Sequence, residues 1–245
     1  MILENIKVQR EKGKKMFALL IDPDNAADEN RLKDTIDVAE EAGVDLFLVG
    51  GSLITNGNLD RCIKSIRQQS SISTLLFPGN ILQINENAQG ILLLSLISGR
   101  NPELLIGKHV IAAPLLKQSG LEVISTGYML IDGGRITSVT YMSNTLPIPH
   151  DKDNIAACTA MAGEMLGMKL IYMDAGSGAN HPISPEMISA VRKSIDIPLV
   201  VGGGIRSAKD ALSACRAGAD MIVVGNGAEK ELSLVKEIAE SVRSL

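Results

Sequence analysis

Five short phrases in this 245-residue chain end an apolar run on small or polar residues: LLIDPD (19–24), LVGGS (48–52), IYMDAGSGA (171–179), LVVGGGIRS (199–207) and IVVGNG (222–227). Glycines placed after a strand let backbone N–H groups approach an anion closely, and a helix starting just beyond them favours negative charge. Gly202, Gly203 and Gly204 in one phrase, and Gly225 and Asn226 in another, therefore read as a phosphate grip. The same glycines could serve only a tight turn, but two such phrases at successive strands favour the anion. No GxxxxGK[ST] pattern occurs, and GSGANH lacks the third glycine of GxGxxG, so a nucleotide loop is not indicated.

Two carboxylates accompany these phrases. Asp174 follows an apolar run directly and stands beside a glycine-rich turn, where it could accept a proton from a substrate hydroxyl. Asp22 could hold a divalent cation against phosphate oxygens, with water completing the shell. Placed before Pro23, it could equally be a turn-forming residue. His109, His150 and His181 show no metal-ligand spacing.

Such residues need strands that all end on one side. Apolar runs alternate with amphipathic stretches along the whole chain: 17–21, 46–49, 74–77, 90–96, 123–125, 169–173, 199–201 and 221–224 read as eight strands. Eight parallel strands close a (β/α)8 TIM barrel, whose active site lies at the C-terminal ends of the strands. Length fits one domain over residues 1–245. Ile36, Ala39 and Ala42 share a helix face that stops at Gly43, a C-cap glycine. Two places depart from regularity. The link after strand three, 78–89, has no helical apolar face, so its outer helix should be short or missing. After strand five, Asp132-Gly133-Gly134 between extended stretches predicts a small hairpin over the mouth. Together these could open an elongated groove.

A net charge of −4, no Trp and 2 % aromatics give neither a basic footprint nor stacking platforms for nucleic acid. No apolar run is long enough to span a bilayer and no signal pattern precedes Met16–Ile21, which predicts a cytoplasmic protein. Cys62, Cys158 and Cys215 fall in helix-like segments without metal spacing and read as reduced, buried thiols.

Taken in order, LLIDPD, LVGGS, YMDAGSGA, VVGGGIRS and VVGNG resemble the geranylgeranylglyceryl phosphate synthases, in the branch with AGSGA after strand six. The resemblance implies an Mg²⁺-dependent prenyltransferase joining sn-glycerol 1-phosphate to a long-chain prenyl diphosphate such as geranylgeranyl diphosphate. It further implies self-association and a transient contact of the lipid product with a membrane surface. Carried over by motif, Asp22 and Ser52 would bind Mg²⁺. Tyr172, Met173, Asp174, Ala175, Gly176, Ser177, Gly178, Gly203, Gly204, Gly225 and Asn226 would bind glycerol phosphate. The family commonly has Glu at the position of Asp174, so the carboxylate here stands on a shorter arm. The DDxxD pair of chain-elongating prenyltransferases is absent. From the residues alone, an isomerase or lyase of a sugar phosphate, or a non-catalytic barrel binding a phosphorylated ligand, stays open.

Overall fold

The computed structural model describes residues 1–225 and 231–245. Eight parallel strands close in sequence order: β1 (Met16–Ile21), β2 (Leu46–Val49), β3 (Thr74–Leu76), β4 (Gly90–Leu96), β5 (Glu122–Leu130), β6 (Leu170–Asp174), β7 (Leu199–Gly202) and β8 (Met221–Val224). β1 pairs with both β2 and β8, which completes the ring. The predicted barrel is thus observed.

Successive side chains on a strand point to opposite faces, and here each face has its own apolar cluster. Ala18, Leu48, Leu75, Leu92, Leu170 and Val200 fill the interior. Phe17, Phe47, Val49, Ile171, Val201 and Ile222 face outward onto helix residues such as Ile36, Ile63 and Ile238. The helices are α1 (Ile2–Glu11), α2 (Glu29–Ala42), α3 (Leu59–Gln69), α4 (Lys108–Ser119), α5 (Ser138–Ser143), α6 (Asp153–Met165), α7 (Pro185–Arg192) and α8 (Ala208–Ala217), followed by a C-terminal helix (Ser233–Arg243). Gly43 caps α2 in the left-handed region at φ 66°, as its position predicts. No described helix is long and apolar enough to cross a membrane.

The bottom of the barrel is closed by α1, which the sequence pattern does not announce. Ile6 is 2 % exposed and joins the interior cluster, a burial contributing about 2 kcal/mol. The backbone N–H groups of Ile2 and Leu3 donate to the Glu122 carboxylate, so an acid on β5 supplies the helix N-terminus with acceptors.

The two irregular places turn out differently. After β3 there is only a single 3-10 turn, Ile81–Gln83, as expected. Its Gln83 is buried: Oε1 accepts from Gly79 N at 2.9 Å and Nε2 donates to Gly51 O at 3.0 Å, tying the loops after β2 and β3 together. The predicted hairpin after strand five does not form. A two-residue type I′ turn needs two successive residues at positive φ, and within Asp132-Gly133-Gly134 only Gly134 is there, at 82°. Gly133 instead passes the loop after β6 so closely that a Cβ would lie 2.5 Å from Ala179 Cβ, and its carbonyl accepts from Asn180 N and His181 N. The chain then enters α5, and Ile131 makes one isolated parallel bridge with Ile148. Strand five is also longer than predicted, because buried Thr126 satisfies its hydroxyl on Ile124 O and so does not end the strand. Cys62 and Cys215 are buried as expected; Cys158 is exposed, since it falls on the outer face of α6.

Candidate active site

Asp174 ends β6 and, alternating with Leu170 and Tyr172, belongs to the barrel interior at its C-terminal mouth. Both carboxylate oxygens are engaged. Oδ1 accepts from Gly176 N at 2.6 Å and Oδ2 accepts from the Tyr128 hydroxyl at 2.5 Å. Burial raises the Asp174 pKa above the ordinary carboxylate range, with the two hydrogen bonds pulling the other way. Burial and the neighbouring Asp174 charge push the Tyr128 and Tyr172 phenols well above their usual value, so both remain protonated donors at neutral pH. Tyr172 stacks on Phe77 with ring centroids 5.1 Å apart, and Tyr128 meets Phe77 edge-on at 5.9 Å.

Backbone builds the rest of this side. Gly203 has φ 78°, and a Cβ there would stand 2.5 Å from Asp174 Oδ1 and 2.6 Å from Gly176 N. The loop after β7 thus lies directly on the loop after β6, at a distance only glycine allows. Beyond Gly204, Ser207 caps α8 by accepting from Asp210 N, which directs that helix N-terminus to the same end of the barrel. Ser177 and Gly178 lie at the rim, Ser177 exposed. Met173 and Ala175 point into the outer cluster, so only their backbone groups can face a ligand. Gly225 packs beside Leu20, and Asn226 lies outside the described residues.

Asp22 follows β1 and is half-buried; burial raises its pKa, a hydrogen bond from Asp24 N at 3.0 Å lowers it and the Asp24 charge raises it. It is therefore a turn-forming residue, as one reading has it, yet a Cβ on Gly51 would lie only 3.5 Å from its Oδ2, which puts the carboxylate beside the loop carrying Ser52. Asp24 serves the loop instead, its carboxylate holding Thr55 N and Oγ1 at 2.9 and 2.7 Å. Among the described residues no cluster of three His, Cys, Asp or Glu side chains forms a self-sufficient metal site.

From Ser52 and Tyr128 a groove of about 1100 Å³, its open mouth included, runs outward between β4 and α4, where the missing helix leaves room. Ile84, Ile91, Leu93, Ala112, Leu116 and Met142 are among its apolar walls. Tyr128 and Phe77 line the groove without having been singled out as site residues by sequence, and His109, weighed there only as a metal ligand, lines it too. Tyr128 could have been found by extending strand five two residues past Thr126 on the same face, and Phe77 from its place at the end of predicted strand three; His109 is positioned by α4 and carries no local signal.

A parallel barrel with a buried carboxylate under glycine turns at its C-terminal mouth and an adjoining apolar groove is the frame of a TIM-barrel enzyme. The family model described as the PcrB family matches residues 6–242. A geranylgeranylglyceryl phosphate synthase from Chitinophaga pinensis is 56 % identical over 96 % of this chain and 93 % of its own length. One from Thermococcus gammatolerans is 42 % identical over 96 % and 94 %. The crystal structure of (S)-3-O-geranylgeranylglyceryl phosphate synthase from Thermoplasma acidophilum, in complex with its substrate sn-glycerol-1-phosphate, superposes with a TM-score of 0.94 at 32 % identity, covering 100 % of this chain and 99 % of that one. Thiamine phosphate pyrophosphorylase from Pyrococcus furiosus, at 16 % identity and TM-score 0.59, shares the fold alone. The chain belongs to the PcrB family, alongside the geranylgeranylglyceryl phosphate synthases, and is an enzyme of the prenyltransferase class.

Proposed function

We propose that the chain joins sn-glycerol 1-phosphate to geranylgeranyl diphosphate, or a related long-chain prenyl diphosphate, as an ether with release of diphosphate. The observation that carries this reading is that Tyr128 both bonds to Asp174 and lines the apolar groove, so a polar acceptor site and an apolar channel meet at one point. An isomerase or lyase of a small sugar phosphate has no use for such a groove.

The phosphate of the acceptor rests on the backbone N–H groups of Ser177 and Gly178, on the Gly203–Gly204 turn and on the α8 N-terminus, while the Gly176 N–H stays on Asp174. Asp174 takes the proton of the attacking hydroxyl; burial raises its pKa and so makes its carboxylate a stronger base than an ordinary aspartate. The apolar groove holds the prenyl tail and keeps water from the allylic carbon. Asp22 and Ser52 fit an Mg²⁺ ion, because this metal is commonly held by one or two carboxylates with substrate phosphates completing its shell, and Asp22 is a carboxylate whose burial favours a positive counterpart. When bound, Mg²⁺ supplies charge neutralisation for the departing diphosphate. The apolar side chains Ile106, Val110, Ile111 and Leu115, exposed on and just before α4, support self-association, and the lipid product supports brief contact with a membrane surface.

Incubation with labelled sn-glycerol 1-phosphate, Mg²⁺ and a ladder of prenyl diphosphates should give an acid-stable, lipid-soluble phosphate. Label confined to the aqueous phase with every prenyl diphosphate would overturn the proposal.

A further inference from the structure

We infer that the Tyr128 hydroxyl, resting on the functional reading above, relays the acceptor's proton to Asp174 instead of merely bracing the carboxylate. Three observations converge. Asp174 is buried and is not among the groove-lining residues, and its Oδ1 accepts from Gly176 N while its Oδ2 accepts from the Tyr128 hydroxyl. Of the two partners, only Tyr128 lines the groove, with Phe77 beside it at 5.9 Å between ring centroids. Finally, the carboxylate is on the short aspartate arm, and the phenol at 2.5 Å extends its reach toward the groove by one hydrogen bond.

The step balances with the two substrates alone. The allylic C–O bond breaks and its electron pair leaves on diphosphate. The acceptor oxygen uses a lone pair to form the new C–O ether bond. Its proton passes to the Tyr128 oxygen as the Tyr128 proton passes to Asp174 Oδ2, leaving a neutral phenol and a neutral carboxyl group, which returns its proton to water after product release. Phe77 stacked on Tyr172 and edge-on to Tyr128 fixes the ring, so the hydroxyl is held in place by aromatic contacts that do not depend on it.

Tyr128→Phe removes only that hydroxyl and retains the ring contacts. We expect kcat to fall on the order of 10²-fold, the usual size of a lost proton-transfer partner, with KM for sn-glycerol 1-phosphate and for geranylgeranyl diphosphate each within about threefold of the parent. In that background Asp174→Glu lengthens the carboxylate toward the space the hydroxyl vacated, and the double variant should recover at least about tenfold in kcat. The single Asp174→Glu variant, crowded against Tyr128, should gain nothing. Calorimetric titration of sn-glycerol 1-phosphate, with thermal unfolding, reports whether each variant retains its fold and acceptor site. A folded Tyr128→Phe protein turning over at the parent rate would overturn the relay and leave the prenyl-transfer reading intact. So would a double variant no better than Tyr128→Phe. Absence of any ether product from the unaltered protein would overturn both.

Discussion

The two sides of the barrel mouth are built from different materials. Around β6 and β7 the surface is made of backbone: Gly203 rests on Asp174 and Gly176 at distances no side chain tolerates, and the carboxylate is fixed through two hydrogen bonds. Around β3 to β5 it is made of space, left by a missing outer helix and lined by side chains that can be exchanged one at a time. The contrast matches what each side is proposed to bind. A phosphate is a point target that rewards preorganised donors, whereas a prenyl tail is bound by area and shape. Substitutions on the first side should act as switches, and those on the second as graded adjustments.

The largest expected effect is at Gly203. Gly203→Ala puts a Cβ against Asp174 Oδ1, Gly176 N and Ala175 N, all within 2.7 Å, and asks an L residue to hold φ 78°. Strain of this kind costs about 1–3 kcal/mol, and the loop must move away from the carboxylate to relieve it. We expect kcat/KM for sn-glycerol 1-phosphate to drop by about 10³-fold while the groove still binds a prenyl diphosphate, checked by steady-state kinetics and by calorimetry with each ligand. Normal kinetics would mean that the glycine turn is not the phosphate site.

Asp22→Asn comes next. It keeps the shape and the turn-making acceptor of the Asp24 N–H but removes the charge proposed to hold Mg²⁺. Turnover should fall by about 10²-fold, comparable with losing one electrostatic stabiliser, and added Mg²⁺ should restore part of it. Titration of rate against Mg²⁺ for both proteins decides the matter; superimposable curves would leave Asp22 as a turn residue only.

A graded effect is expected in the groove. Ala112 of α4 is buried against the channel. Ala112→Phe should shorten the preferred prenyl diphosphate, shifting the ratio of kcat/KM between C20 and C15 donors by about tenfold or more, with acceptor binding untouched. Product lengths read by mass spectrometry test this. An unaltered length profile would move the tail to another face of the barrel.

These same contrasts explain what could be read in advance. The strands were legible because buried parallel strands are near-continuous apolar runs, and the glycine phrases because positive φ and close approach leave glycine little competition. The missing helix was legible as an absent period. Side-chain geometry across the mouth was not. Tyr128 belongs to a strand whose buried Thr126 disguises its length, and its meeting with Asp174 depends on the register Leu130↔Asp174 between β5 and β6, which no single segment encodes. The Asp132-Gly133-Gly134 phrase misled for a related reason: it carries the composition of a hairpin turn, but its first glycine serves a close approach to Ala175 and Ala179. The α1 plug was hidden because its apolar face is completed only by the barrel floor and the Glu122 carboxylate.

The smallest expected effect concerns pH, and it separates the base from its scaffold. Burial raises the Asp174 pKa above its unfolded value, so between the two the unfolded chain releases its proton while the folded chain keeps it. The stabilising contribution is therefore complete below the ordinary aspartate range and is lost as pH rises through the raised folded value. Over the same window the ionised carboxylate appears, and the rate of ether formation should climb. Stability and activity thus slope in opposite directions for one group. Asp174→Asn has no proton to lose there, so its Tm relative to the parent should improve as pH rises through that window, while its activity stays low at every pH. Parallel Tm curves for the two proteins across the acid range would show that Asp174 ionises as readily folded as unfolded, and the base would then have to be sought elsewhere at the mouth.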